Sequence, residues 1–327
     1  MSEPHSKIVK DCIYGFINIP ELCLHFIDTP EFQRLRRVKQ LGMVHYAYPS
    51  AVHTRFEHSL GVMHLCGKMV DQLRNFTDIS ERKKELIQLA GLYHDIGHFS
   101  YSHLFDSFLS KFENDKDLPD IFKLKDHEDR SLFFLAKVNS VLRILTPEEE
   151  LFVSNVIIGN VPIGEPNYLY QIVCNKECGI DVDKMDYLKR DSFHTGFPGF
   201  QSDYIILNAK IDSELHLAFK KKAYNDIDDL FKARHRMFEN VYQHHTSQKI
   251  DKIYFCMMKR LGSKLFSFGE KTDDCNIETL LRTSSKTSEL IDLIDNRNLE
   301  HDCEFCREYS VRKTIKSSGT IEKVRFI

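Results

Sequence analysis

Tyr93-His94-Asp95-Ile96-Gly97-His98 closes an apolar stretch in which Leu86, Leu89, Ala90 and Tyr93 recur at helical spacing. An adjacent His and Asp at the end of a helix can reach a single cation. Imidazole nitrogen with carboxylate oxygen suits Fe, Mn, Zn, Ni or Mg. Ser102-His103 follows a few residues on. One His on a helix is ordinarily a core or surface residue, and an HD dipeptide is common by chance. Several imidazoles and a carboxylate crowded behind an apolar helix are a costly core, because buried polar groups need a partner or a metal. Further ligands must come from elsewhere in the chain. His58, in Arg55-Phe56-Glu57-His58-Ser59-Leu60-Gly61, fits upstream, and Asp183, in Gly179-Ile180-Asp181-Val182-Asp183-Lys184-Met185-Asp186-Tyr187, fits downstream.

Around this stretch the periodic segments read as helices. Thr29-Pro30-Glu31 is a helix start, with a capping hydroxyl, proline in the first turn and an acid at the positive end of the dipole; Phe32, Leu35 and Val38 give its apolar face. Ser80 begins the helix that reaches Tyr93, with Gly97 as its expected stop. Thr146-Pro147-Glu148 repeats the start signature and Gly159 ends that element. Phe56 to Leu73 and Lys232 to Phe255 also read as helices. Strand signals are few: a hairpin over Lys7 to Asn18 around Gly15, and minor candidates at Lys220 to Tyr224 and Thr320 to Ile327. The expected fold is all-α with a few short peripheral β-strands. Residues 1–270 form the core, and residues 271–327, richer in Ser, Thr and charge, form a small C-terminal subdomain or tail.

The 327 residues are 42% apolar and 28% charged, ordinary for a globular protein. A net charge of −3 gives no global attraction for nucleic acid or an anionic membrane, so anions must be bound by local clusters or metal ions. No run approaches the roughly 18 apolar residues of a membrane span, and Met1 to Asp11 lacks the apolar core of a signal peptide. Nine cysteines without framework spacing read as reduced thiols of the cytoplasm or nucleus. Cys303 and Cys306 form a CxxC with His301 nearby, a pattern that stands more often for ordinary thiols than for zinc.

The pattern His58, His94-Asp95, Asp183 resembles that of HD-domain phosphohydrolases. The stretches Ile27-Asp28-Thr29-Pro30-Glu31-Phe32-Gln33-Arg34-Leu35-Arg36, Lys39-Gln40-Leu41-Gly42, Arg55 to Val62 and Gly179 to Lys184 extend the resemblance. They are similar to the dNTP triphosphohydrolases of this family, close to the catalytic domain of the vertebrate SAM-and-HD-domain enzymes. The similarity runs from about Lys7 to Tyr254, so a compact viral or microbial homologue without the SAM domain is expected.

The resemblance implies hydrolysis of a deoxynucleoside triphosphate to deoxynucleoside and inorganic triphosphate. One divalent ion is held by His58, His94, Asp95 and Asp183, and a second Mg rides on the substrate phosphates. His103 is the implied general acid for the leaving 5′-oxygen, oriented by Asp106, with His98 and His127 beside it. Histidine suits such work because its pKa lies near the working pH. Arg55, Lys184 and Arg234 are the implied phosphate clamps. Gln40, Leu41, Tyr187, Asp191, Tyr242 and Gln243 are the implied sugar set, with Tyr242 and Leu41 excluding a 2′-hydroxyl. Phe238 departs from the family, standing where the vertebrate enzymes have a histidine. In those enzymes a guanine nucleotide binds between subunits and assembles the active tetramer. Asp28, Gln33 and Arg36 match its guanine-reading residues, although Asp28 reads equally as a cap for the helix at Thr29-Pro30, and Gln33 and Arg36 as neighbours on that helix's exposed face. In the adjoining activator site Lys220 and Lys222 keep their charge, but Ile206 replaces a basic residue. Allosteric stimulation by GTP and a homo-oligomer, dimer or tetramer, are therefore expected, without a membrane or nucleic-acid partner. The competing readings are another HD phosphohydrolase, such as a nucleotidase or cyclic-nucleotide phosphodiesterase, and an inactive nucleotide-binding homologue.

Overall fold

The structure, a computed structural model, describes residues 6–112, 118–124, 126–299 and 320–327. The chain opens on an antiparallel hairpin of β1 (Lys7–Asp11) and β2 (Gly15–Ile19), with Lys7 opposite Ile19 and Asp11 opposite Gly15. Then come α1 (Glu21–Ile27), α2 (Pro30–Gln33), α3 (Arg55–Leu73), α4 (Glu81–Tyr93), α5 (His103–Leu109), α6 (Asp120–Lys123), α7 (His127–Leu142) and α8 (Pro147–Ile158). They are followed by α9 (Asn167–Tyr170), α10 (Val182–Thr195), α11 (Ser202–Leu207) and a second hairpin, β3 (Ala209–Ile211) with β4 (Leu217–Phe219). The chain ends with α12 (Tyr224–Met237), α13 (His245–Leu261), α14 (Asp274–Thr283) and α15 (Ser288–Asp295). This is the all-α architecture with short strands that the periodicities predict.

α3 is the centre of the packing, lying along α4 on one side and α10 on another, while α4 also packs on α8. Its start is fixed by a capping box in which Glu57 Oε1 accepts the Thr54 N–H at 2.8 Å. Along it Leu60, Val62, Met63, Leu65, Cys66, Met69, Val70 and Leu73 are all buried, more than one amphipathic stripe, because neighbours cover the helix on several sides. Ile277, Leu281, Leu290 and Ile294 of α14 and α15 join the same apolar core through α13.

Several sequence expectations are corrected. Residues 232–255 do not form one helix. A π-helical turn, Phe238–Tyr242, separates α12 from α13 and swings Tyr242 inward. Lys221–Ala223 is a 3-10 turn rather than a strand; the strand lies just before it, at Leu217–Phe219, and Phe326 bridges Phe219 in parallel. Asp28 does not cap α2. That cap is Thr29, whose hydroxyl accepts the Phe32 N–H, and Asp28 instead ends α1.

Gly97 is not the stop of α4, which ends at Tyr93. Its role is closeness: a Cβ at this position would lie 2.1 Å from the His127 carbonyl oxygen and 2.6 Å from the Ser131 nitrogen. The absent side chain lets the loop after α4 lie directly on the backbone of α7. Arg34, buried, staples the same loop, donating to the carbonyls of His98 (2.7 Å), Ile96 (2.5 Å) and Thr272 (3.0 Å).

Gly97→Ala should therefore lower the unfolding free energy by about 1–3 kcal/mol, since the atoms in the way are backbone that cannot step aside. Denaturant unfolding measures it, and an unchanged midpoint would show that the loop and α7 are not packed as described.

Candidate metal centre

α3 supplies His58, the end of α4 supplies His94 and Asp95, and the first turn of α10 supplies Asp183. These side chains come from stretches far apart in sequence, yet their ligand atoms converge. His58 Nε2 lies 3.3 Å from His94 Nε2, 3.5 Å from Asp95 Oδ2 and 3.2 Å from Asp183 Oδ1. His94 Nε2 lies 3.5 Å from Asp95 Oδ1 and 3.3 Å from Asp183 Oδ1. Ligands about 2.1 Å from one ion, with angles of 90–110°, stand roughly 3.0–3.4 Å from one another. The edges among His58, His94 and Asp183, 3.2–3.3 Å, fall in that range, while Asp95 meets the two imidazoles at 3.5 Å through different oxygens.

The tautomers agree. His94 Nδ1 lies 2.8 Å from the Gly91 carbonyl, which can only accept, so Nδ1 carries the hydrogen. His58 Nδ1–H donates to Asp186 Oδ2 at 2.8 Å. Both rings in their neutral form thus turn bare Nε2 lone pairs toward each other and toward two carboxylates. Burial pushes the His58 imidazole down, but its hydrogen bonds to Asp183 and Asp186 outweigh this and raise it to about 10. His94 is raised too, by Asp95 and Asp183 against its burial. Two imidazoles and two carboxylates facing one another could hold a divalent cation, and His58, His94 and Asp95 form a candidate metal-binding group.

Asp186 is fixed in turn by Arg190, which donates Nε to Oδ2 at 2.9 Å and Nη2 to Oδ1 at 3.0 Å, and Arg190 Nη1 reaches Asp11 Oδ2 at 2.9 Å on the hairpin. Both side chains are buried. Gly61 on α3 makes room, because a Cβ there would lie 1.9 Å from Asp186 Oδ1. Asp186 and Arg190 were given no role from the sequence; their spacing of three and seven residues from Asp183 on one helix is the signal that could have found them.

Beside this centre lies a second polar cluster of His98, His103, Asp106 and His127. His98 Nε2 is 3.5 Å from Asp95 Oδ1, so it borders both groups. The His98 and His127 rings stack, with centroids 4.0 Å apart. Burial holds the His127 imidazole down to about 4 and the His98 imidazole well below its ordinary value, so both are neutral at pH 7. Asp106 Oδ2 lies 3.7 Å from His103 Nδ1 and 4.0 Å from His127 Nδ1, while its other oxygen is paired with Arg130. Burial raises the Asp106 carboxyl, but the His103 hydrogen bond and the Arg130 charge bring it to about 2. His103 itself is open to solvent, with 73% of its side chain exposed. The loop that delivers it is unusual: Tyr101 and Ser102 both have positive φ, at 57° and 54°. Three anchors hold it there. Asp274 Oδ1 accepts the Tyr101 N–H at 2.9 Å, Asp274 Oδ2 accepts the Lys39 N–H at 3.0 Å, and Ser102 Oγ accepts Arg55 Nε–H at 2.9 Å. Arg130 and Asp274 were likewise not singled out from sequence.

Of the expected phosphate clamps, Arg55 is buried and paired with Asp95. Lys184 Nζ donates to Asp181 Oδ2 at 2.7 Å. Arg234, like Lys184, bears on the Tyr187 hydroxyl, which burial pushes up to about 12. The expected sugar residues also gather. Asp191 accepts from Tyr242 Oη–H at 2.8 Å and contacts His53 Nε2 at 2.7 Å, and Tyr187 lies edge-on to Tyr242 with centroids 6.5 Å apart. Gln40 Oε1 is buried and finds no hydrogen-bond partner among the described residues. Leu41 packs on the core, and Gln243 is held by Gln248, whose Nε2 donates to its side-chain oxygen at 3.0 Å. His53 has no sequence signal. Asp28, Gln33 and Arg36 lie apart from this centre: Arg36 Nε donates to Gln33 Oε1 at 2.8 Å and its guanidinium covers the Phe56 ring at 3.6 Å. Ile206 is buried. Cys303, Cys306 and His301 lie outside the described residues.

Asp186→Asn should weaken divalent-metal binding by roughly 10–100-fold, because it loosens the hydrogen bond that sets the His58 tautomer. Competition against a metallochromic chelator measures this, and unchanged affinity would mean that His58 is not a ligand.

Residues 55–191 match the HD domain family model. The deoxynucleoside triphosphate triphosphohydrolase SAMHD1 of Homo sapiens is 33% identical over 344 residues, 90% of this chain and 54% of that protein. The Bos taurus protein of the same name is 37% identical over 274 residues, 75% of this chain and 46% of that protein. An HD domain-containing protein of Acanthamoeba polyphaga mimivirus is 35% identical over 268 residues, 76% of this chain and 57% of that protein. The chain spans about half the length of the curated relatives it matches. Among the described residues no helix is long and apolar enough to cross a membrane.

Proposed function

We propose, for a chain that carries an HD domain at residues 55–191, that it is a metal-dependent hydrolase of deoxynucleoside triphosphates, releasing deoxynucleoside and inorganic triphosphate. The observation that carries this reading is the junction of three groups of residues: the four-ligand centre, the His103–Asp106 pair beside it, and the Asp191–Tyr242–Gln40 wall. His58, His94, Asp95 and Asp183 would hold the divalent ion. When bound it supplies Lewis-acid charge, which acidifies water from a pKa of 15.7 towards roughly 7 and offsets phosphoryl charge.

The chain's own residues do the rest. Arg55, held by Asp95 and Ser102, brings a fixed positive charge and its remaining Nη2 donors towards the phosphates, with Lys184 and Arg234 adding charge. Water adds to the α-phosphorus, giving up a proton to solvent, as the bond to the 5′-oxygen breaks; that oxygen takes its proton from His103, which solvent then reprotonates. Asp106, anchored by Arg130, lies 3.7 Å from His103 Nδ1 and orients the ring. Neutral His98 and His127 line the pocket without adding cationic charge that would trap the product. Gln40 and Asp191 receive the 3′-hydroxyl, and Tyr242, fixed on Asp191, fills the space a 2′-hydroxyl would need.

His103→Ala should lose about 100-fold or more in kcat while nucleotide still binds. The wild-type phosphorus product should be intact triphosphate, formed faster from dATP than from ATP. Monophosphate or diphosphate as the primary product would identify a different phosphohydrolase, and no turnover with any divalent metal would leave only a nucleotide-binding protein.

Control by a guanine nucleotide belongs to the same proposal. Asp28, Gln33 and Arg36 cluster at the surface beside Phe56, whose neighbour Arg55 lines the centre. GTP or dGTP seated there between two copies would favour self-association by linkage and stimulate modestly. Sedimentation and turnover on a non-guanine dNTP, with and without GTP, should show a shift to a dimer or larger; a monomer indifferent to GTP would remove these residues from any such role.

A further inference from the structure

A second group of metal-ligating side chains lies away from the centre described above. Cys12, in the turn between β1 and β2, Glu57 on α3 and His194 at the end of α10 each offer one ligand atom, all within 4.8 Å of one another. Cys12 Sγ and His194 Nε2 are 3.9 Å apart. A thiolate about 2.3 Å and an imidazole about 2.0–2.1 Å from one tetrahedral zinc ion stand roughly 3.6 Å from each other. For this pair, the difference is a few tenths of an ångström at an exposed cysteine, and Glu57 lies within 4.8 Å of both.

The segments that carry the ligands are ordered, although burial and the charges of Asp11 and Glu57 raise the Cys12 thiol, which the zinc charge would have to offset. The turn that carries Cys12 is held by Asp11 Oδ1, which accepts the N–H groups of Ile13 (2.8 Å) and Tyr14 (2.9 Å). His194 stacks on His53, with centroids 4.2 Å apart and planes 11° apart, which fixes the plane of the ring while its Nε2 faces the sulfur. Glu57 Oε1 is used by the capping box, but Oε2 meets Arg190 only at 3.9 Å, and that guanidinium is already bonded to Asp186 and Asp11. The group therefore offers one sulfur, one nitrogen and one carboxylate oxygen, a set that selects zinc over magnesium or calcium.

We propose that Cys12, Glu57 and His194 form a zinc site, separate from the catalytic centre, that clamps the β1–β2 turn to α3 and α10. On binding, the Cys12 thiol gives its proton to solvent as the sulfur–zinc bond forms; the fourth position is left to water. The clamp bears on the catalytic centre from outside, because α3 carries His58, α10 carries Asp183 and Asp186, and His53 links the His194 ring to Asp191. None of the three ligands belongs to the His58, His94, Asp95 and Asp183 set.

The test uses Co²⁺ as a reporter on the full chain in reducing buffer. Only a site with a thiolate ligand gives sulfur-to-cobalt charge-transfer absorption, so the catalytic centre is silent in this signal. Co²⁺ should produce the band, and Zn²⁺ should displace it. Cys12→Ser, a surface change, should abolish it and weaken zinc binding at this site by at least roughly 10–100-fold. His194→Gln should weaken both, and Cys303→Ser with Cys306→Ser should leave them intact. No band in the wild-type protein, or a band that survives Cys12→Ser, would overturn the proposal. Because the signal is independent of dNTP turnover, it can fail while the hydrolase reading stands, and the reverse.

Discussion

Two imidazole lone pairs and two carboxylates are aimed at one buried point. The carboxylates favour positive charge at that point, and much of the surrounding fold is explained as the means of holding the group together. His58 is kept in its tautomer by Asp186, Asp186 is clamped by Arg190, and Arg190 is tied to Asp11 of the first hairpin. Charges alternate along this buried line, so that each ion is taken out of water only with its partner. Gly61 shows how closely it is packed, since no side chain larger than hydrogen fits against Asp186.

The neighbouring histidines obey different physics. His98 and His127 are buried against each other and against Arg55 and Arg130, so they are neutral, whereas His103 stands in solvent at the rim. One sequence neighbourhood thus yields imidazoles with separate tasks, and burial rather than residue type divides them. The rim position depends on a backbone that local preference does not favour. Tyr101 and Ser102 hold positive φ because Asp274, Arg55 and Lys39 pin the loop from outside. The region after residue 271, which reads as loose and polar, supplies one of these anchors and an apolar face to the core.

The break between α12 and α13 makes the same point on the other wall. The heptad-like run through residues 232–255 predicts one continuous helix. The π turn at Phe238–Tyr242 costs backbone regularity, but it delivers the Tyr242 hydroxyl to Asp191. Irregular turns of this kind recur where a side chain has to be aimed.

The sequence by itself determined several of the helices, through their apolar spacing and through caps such as Thr29, Ser80 and Thr146, because these signals are local. It also pointed to the chemical character of the centre, because His94 and Asp95 are crowded with His98 and His103 behind an apolar helix, where polar side chains are costly without a partner. Only the tertiary structure decided which distant residues support them. Asp186, Arg190, Arg130, His53 and Asp274 act across 24 to 179 positions of sequence and carry no local signature of their role. It also decided that Gly97 is a point of contact with α7 rather than a helix stop. Burial, pairing and close approach are properties of packed surfaces, and they exist only once α3, α4, α7 and α10 have come together.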